Sequence, residues 1–180
     1  IPSTRLSPMT DHLTTIHDSH RHTHAAPLTR PVAVIDIGSS SIRMAIGEIV
    51  SDGSIRLLES LSRDVDLGRD TFTRGRIRRG TTEDCVAVLH SYGRLVAEYG
   101  ITNPNQVRVV ATSAVREATN RLSFLDRVYV ATGLEIEPID EAEVNRITYL
   151  GVQPMIESHP SLGDVQSIVT EVGGGNTEIL

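Results

Sequence analysis

The chain has 180 residues, 39% of them hydrophobic and 22% charged, with a formal net charge of −6. That is enough apolar material for one well-cored domain and part of a second, and too acidic a balance for a general nucleic-acid or membrane-surface binder, although it permits a local cationic pocket for an anionic ligand. The single cysteine, Cys85, excludes an internal disulfide or a multi-cysteine metal site and fits a reducing cytoplasm; no apolar run approaches the roughly 20 residues of a membrane span.

Residues 1–30 are rich in Ser, Thr, Pro and His and carry no helical or strand period, which predicts a disordered tail. Within it His20, His22 and His24 alternate. A solvated basic tail is the expected state rather than a divalent-ion site, because no carboxylate or cysteine cluster accompanies the imidazoles.

Order is expected from Pro31. PVAVIDIG, at 31–38, is a continuous apolar run with one Asp near its end, the pattern of a central strand buried on both faces. SIRMAIGEIV reads as a second strand, SDG as a tight turn and SIRLLESLS as a third strand, with both joins antiparallel. After the polar stretch 63–80, Thr81 or Thr82 is expected to cap a helix whose face is Cys85, Val88, Leu89, Tyr92, Leu95, Val96 and Tyr99, ended by Gly100.

QVRVVAT is the next predicted strand and SAVREATN a short helical segment. RLSFLDRVYVATG predicts a helix closed by Gly133, LEIEPI a strand, and DEAEVNRITYLGVQPMIES a long helix opened by Asp140. A loop, SHPSLGD, and a strand, VQSIVTEV, lead into the glycines at 173–175. This order predicts an α/β domain with a mixed sheet, and no repeat is visible at solenoid periods.

Three stretches carry chemistry. In DIGSSSIR, residues 36–43, a carboxylate ends a buried strand and is followed by glycine and three hydroxyls. Asp36 should therefore face a cation or a hydrogen-bonded cluster, the plainer alternative being a serine-rich turn capped by Asp. In ATSAVREATN, residues 111–120, Thr112, Ser113 and Arg116 follow a strand's C-terminal end, where α/β sheets gather ligands and where a guanidinium fork suits phosphate oxygens. Surface pairing of Arg116 with Glu117 or Glu141 is the alternative. In EVGGGNTE, residues 171–178, three glycines let backbone amides close on an anion between Glu171 and Glu178, both able to meet a bound Mg²⁺; the alternative is a simple hairpin with Glu171 in solvent.

Taken in order, VIDIGSSSIRM at 34–44, VVATSAVREATN at 109–120, NRITYLGV at 145–152 and VGGGNTE at 172–178 resemble the exopolyphosphatase and guanosine pentaphosphate phosphohydrolase family, a branch of the actin-like phosphotransferase superfamily. The resemblance runs from about Pro31 to Leu180. It implies a ribonuclease-H-like domain at 31–158, with a mixed sheet of about five strands flanked by helices, and at 159–180 the opening strand and phosphate loop of a second domain. It further implies Mg²⁺-assisted hydrolysis of a terminal phosphoanhydride in polyphosphate or in guanosine pentaphosphate, and a homodimer for a longer chain. Gly38, Ser39, Ser40, Ser41, Arg43, Thr112, Ser113, Arg116, Gly173, Gly174, Gly175, Asn176 and Thr177 would hold the phosphates, with Asp36, Glu171 and Glu178 on the metal.

Against that family's pattern the chain departs at two chemical positions. Val144 stands where the family has its general base, with Glu143 one residue away and about 100° around the helix. Glu171 stands where the family has Asp, which moves a carboxylate by one methylene; Ser40 replaces an Asn. A catalytically degenerate module that binds phosphorylated ligands is thus the alternative to a hydrolase, and a sugar or acetate kinase of the same superfamily a more distant one.

Overall fold

The computed structural model describes residues 30–159, 161, 168–173 and 177–179, with the side chain of Glu178 left out. The expected tail with its three histidines, part of the loop and strand before Ile168, and Gly174, Gly175 and Asn176 lie outside the described residues.

Strand β1 (Arg30–Ile37) pairs antiparallel with β2 (Ser41–Ile49), and β2 pairs antiparallel with β3 (Ile55–Asp64). The turn between β2 and β3 is set by Gly53 at φ +85°, a conformation that side chains with a Cβ resist, and by Asp52, which accepts from the Ser54 amide at 2.8 Å. Strand β4 (Val107–Ala111) then joins β1 in parallel, and β5 (Ile136–Pro138) joins β4 in parallel. The mixed sheet has the order β3-β2-β1-β4-β5.

Among the described residues, only one face of this sheet is sealed. Ala33, Ile35 and Ile37 of β1 and Ile42, Met44 and Ile46 of β2 are buried against helix α2 (Arg79–Glu98) and helix α4 (Arg121–Thr132), whose Leu89, Tyr92, Phe124 and Val128 complete the core. On the other face Val34 remains 45% exposed. The expectation of a strand buried on both faces is thus corrected: within β1 the alternation of the strand separates a buried odd-numbered row from a half-exposed even-numbered one that contains Asp36.

The polar stretch at 63–80, for which the sequence predicts no element, contains helix α1 (Leu67–Arg74), capped at its start by Asp66 and ended by Gly75 at φ +69°. Its buried residues are Leu67, Gly68, Asp70 and Thr71, so it packs mostly through small and polar groups. Helix α2 begins two residues before Thr81. The amide of Arg78, the residue just before the helix, is satisfied by Asp70 at 2.9 Å, and the Thr81 hydroxyl donates to the same carboxylate at 2.6 Å. The cap comes from a neighbouring helix, and neither threonine supplies it.

Helices α4 and α5 (Glu141–Ser158) end and begin as the sequence predicts. Gly133 closes α4 at φ +72°, and the Asp140 carboxylate caps α5 by accepting from the Glu143 amide at 2.8 Å. Strands β6 (Thr170–Val172) and β7 (Thr177–Ile179) form a separate antiparallel pair.

Candidate active site

The parallel strands β1 and β4 end on the same side of the sheet, and their C-terminal loops meet there, as is general for ligand sites of α/β sheets. The loop 38–41 is a tight reversal in which the Gly38 amide donates to the Ser41 carbonyl at 3.0 Å; a Cβ on Gly38 would lie 3.1 Å from that oxygen. Beneath it, the Ser40 carbonyl accepts from Val65 and the Ser39 carbonyl from Gly68. Gly68 is the more demanding of the two glycines, since a Cβ there would stand 2.8 Å from the Ser39 Cβ. The start of α1 therefore forms the floor under the serine loop.

The segment after β4 is fixed by its own polar residues. Thr119 donates to the Gly75 carbonyl, Asn120 exchanges two hydrogen bonds with the backbone of Ile77, and Thr71 donates from α1 to the Ala114 carbonyl at 2.7 Å. These bonds bring α3 (Ser113–Arg116) against α1. Arg116 is thereby anchored: its Nη1 donates to the Ile139 carbonyl at 3.0 Å, while Nη2 lies 3.8 Å from Glu117, a looser contact that leaves the guanidinium available to the cavity.

The cavity at this junction, about 120 Å³, is lined by Asp36, Gly38, Ser39, Ser40, Ser41, Arg43, Thr112, Ser113, Arg116, Val144, Glu171 and Gly173. At roughly 30 Å³ per water it has the scale of one tetrahedral anion with a few waters. Two carboxylates, two guanidiniums, five hydroxyls of the two loops and the glycines converge there. A wider groove, about 1160 Å³, runs between α2, α4 and the starts of β4 and β5; of the charged residues lining it, Arg108 and Glu137 are paired with each other.

Asp36 is the electrostatic centre of the cavity. Burial raises its carboxyl above the usual range, Arg43 opposes that rise and Glu171 adds to it. Its Oδ1 is buried and has no hydrogen-bond partner among the described residues. A hard anionic oxygen left without a donor, with a second carboxylate on the same cavity, suits a divalent cation with oxygen ligands such as Mg²⁺. Glu171 accepts from the Thr148 hydroxyl of α5 at 2.6 Å.

Of the residues anticipated from sequence, Asp36, Gly38, Ser39, Ser40, Ser41, Arg43, Thr112, Ser113, Arg116, Glu171 and Gly173 come together here. Glu143 does not. It forms a two-pronged ion pair with Arg146, both contacts 2.8 Å, and that hydrogen bonding lowers its carboxyl below the usual range, while Val144 turns to the cavity. The reason is the helical rotation of about 100° per residue. Thr177 lies in β7, outside the residues lining the cavity. The floor contributed by Gly68 escapes the sequence reading; its local signal is Asp66, a helix cap two residues before a glycine.

The architecture is that of the ribonuclease-H-like, actin-like ATPase fold, a five-stranded mixed sheet flanked by helices with its candidate site at the ends of the parallel strands. Residues 46–180 match the Ppx/GppA phosphatase family, so the chain belongs to that family. The first serine loop precedes the matched span. The Ppx/GppA family member of Aquifex aeolicus superposes with a TM-score of 0.70 at 33% identity, over 84% of this chain and 46% of that one. An exopolyphosphatase-like protein superposes with a TM-score of 0.73 at 29% identity, over 84% and 44%. An exopolyphosphatase from Cytophaga hutchinsonii gives 0.74 at 26% identity, over 83% and 46%. The chain thus spans less than half the length of these relatives.

Proposed function

We propose that the chain supplies one wall of a phosphoanhydride hydrolase site of the exopolyphosphatase or guanosine pentaphosphatase type. On this reading residues 31–158 are a first domain and 159–180 the opening of a second, whose remainder would close the cleft. The observation that carries the proposal is the convergence of the Gly38–Ser41 loop, Arg43, Thr112, Ser113 and Arg116 with two carboxylates on one small cavity. Guanidinium forks and hydroxyls hold the oxygens of a terminal phosphate and orient it for in-line attack, and Gly173 admits backbone approach from the opposite side. Asp36 and Glu171, with Glu178, would hold Mg²⁺, which when bound supplies neutralisation of the charge that develops on the phosphate oxygens.

The weak point of this machinery is proton removal from the attacking water. Val144 has no proton-accepting atom, and Glu143 is engaged by Arg146 and held acidic, so a poised general base is missing from α5. Hydrolysis is therefore slow. The same observation favours the second reading, a module that binds polyphosphate or phosphorylated guanine nucleotide without efficient turnover.

Phosphate release from polyphosphate by a longer version carrying the second domain separates the two. The hydrolase reading expects slow release that Val144→Glu raises on the order of 10²-fold. Release that stays undetectable in both forms would leave only the binding module.

A further inference from the structure

We infer that Thr148 is a positioning residue for Glu171, fitting the site to a glutamate; the inference rests on the reading of Glu171 as a cation ligand given above. Val144 and Thr148 are four residues apart and so share one stripe of α5. Val144 lines the cavity at one level, and one turn further on the Thr148 hydroxyl donates to Glu171 Oε2 at 2.6 Å. That bond bridges 23 residues of sequence and joins the helix to the strand.

Its consequence is specific to a glutamate. A glutamate has one more rotatable bond than an aspartate, so its carboxylate sweeps a larger volume unless something holds it. The Thr148 donor takes one oxygen, Oε2, and leaves Oε1 with no partner among the described residues. Asp36 has a buried Oδ1 without a partner among the described residues. The two carboxylates thus each keep an oxygen for a shared cation, and the hydroxyl fixes the second of them. A bond from outside the coordination sphere that orients a ligating carboxylate is a recurrent means of tuning metal affinity. An aspartate at 171 is a methylene shorter and would withdraw from Thr148, making the hydroxyl irrelevant.

Mn²⁺, as a probe for hard divalent cations, tests this by titration of the 180-residue chain and four variants: Thr148→Val, Thr148→Ser, Glu171→Asp and the double variant Thr148→Val with Glu171→Asp. Circular dichroism melts establish that each is folded. The expected pattern is a loss on the order of tenfold in affinity for Thr148→Val, recovery in Thr148→Ser, and no further loss when Thr148→Val is added to Glu171→Asp. Equal affinity of Thr148→Val and the parent would overturn the inference while leaving the cation reading standing, and so would an equal loss in the Glu171→Asp background. A parent chain that does not bind Mn²⁺ overturns both.

Discussion

Asp36 and Arg43 stand directly opposite each other across the β1–β2 ladder, which places a largely buried carboxylate and a solvent-reaching guanidinium on the same half-open face of the sheet. Arg43 pulls the Asp36 carboxyl down, but burial wins and the net displacement is upward. Facing residues on one sheet face are close neighbours, so the imbalance comes from how little water reaches Asp36.

This fixes a stability trade. The folded-state value for Asp36 lies above the unfolded one of about 4, so folding disfavours its ionised form. Above the raised value the charged carboxylate costs stability, and the cost is relieved as the pH falls through it. Asp36→Asn is therefore expected to raise the melting temperature at pH 7 by roughly 2–4 °C, with the gain shrinking in mild acid. The same substitution should abolish Mn²⁺ binding. Thermal melts across pH 4 to 7, paired with the titration, measure both.

Asp70 has the opposite sign. It is 1% exposed; burial pushes its carboxyl up, but Thr81, the Arg78 amide and the Arg78 side chain together outweigh burial and leave it below the usual range. Its contribution to stability is present above the unfolded value of about 4 and is lost as the pH falls through the depressed folded value. Asp70→Ala strands the Thr81 hydroxyl and the Arg78 amide just before α2, and should destabilise by about 2 kcal/mol in urea unfolding at pH 7. The difference between parent and variant should narrow below pH 4.

Gly68→Ala probes the floor of the serine loop. The added methyl would meet the Ser39 Cβ at 2.8 Å and the Ser39 carbonyl at 3.1 Å, so the loop must move. Because α1 tolerates alanine, the fold should persist while affinity for inorganic phosphate or tripolyphosphate falls on the order of tenfold or more. Unchanged affinity in a folded variant would mean that Ser39 does not touch the anion.

These same residues mark where the sequence was legible and where it was not. The strands β1 to β3 and helices α2, α4 and α5 are written locally, in apolar periods and in the caps Asp140, Gly100 and Gly133. Helix α1 is not, because its buried side consists of Gly68, Asp70 and Thr71 beside a single Leu67, and polar groups that pack against another polar loop leave no apolar period. The start of α2 was displaced for a related reason: Asp70, distant in sequence, satisfies the Arg78 amide just before it, and Thr81 follows that carboxylate. In the site, the loop residues and Arg116 could be grouped because parallel strand ends converge. The choice between Glu143 and Val144 turned on the helix phase and on Arg146, which recruits the glutamate away. The partnership of Thr148 with Glu171 joins two elements, and no local spacing announces it.

On the proposed function, this cavity binds the terminal phosphate of a phosphoanhydride. Calorimetric titration of the chain with tripolyphosphate in the presence of Mg²⁺, with Arg116→Ala as the control, decides whether it does. Arg116 lines the cavity and donates to the Ile139 carbonyl, so circular dichroism melts first establish that the variant is folded. Saturable binding is expected, weakened on the order of tenfold in Arg116→Ala by the loss of one charge-assisted contact. Binding that is absent from the folded parent, or that is equally strong in the variant, would contradict it.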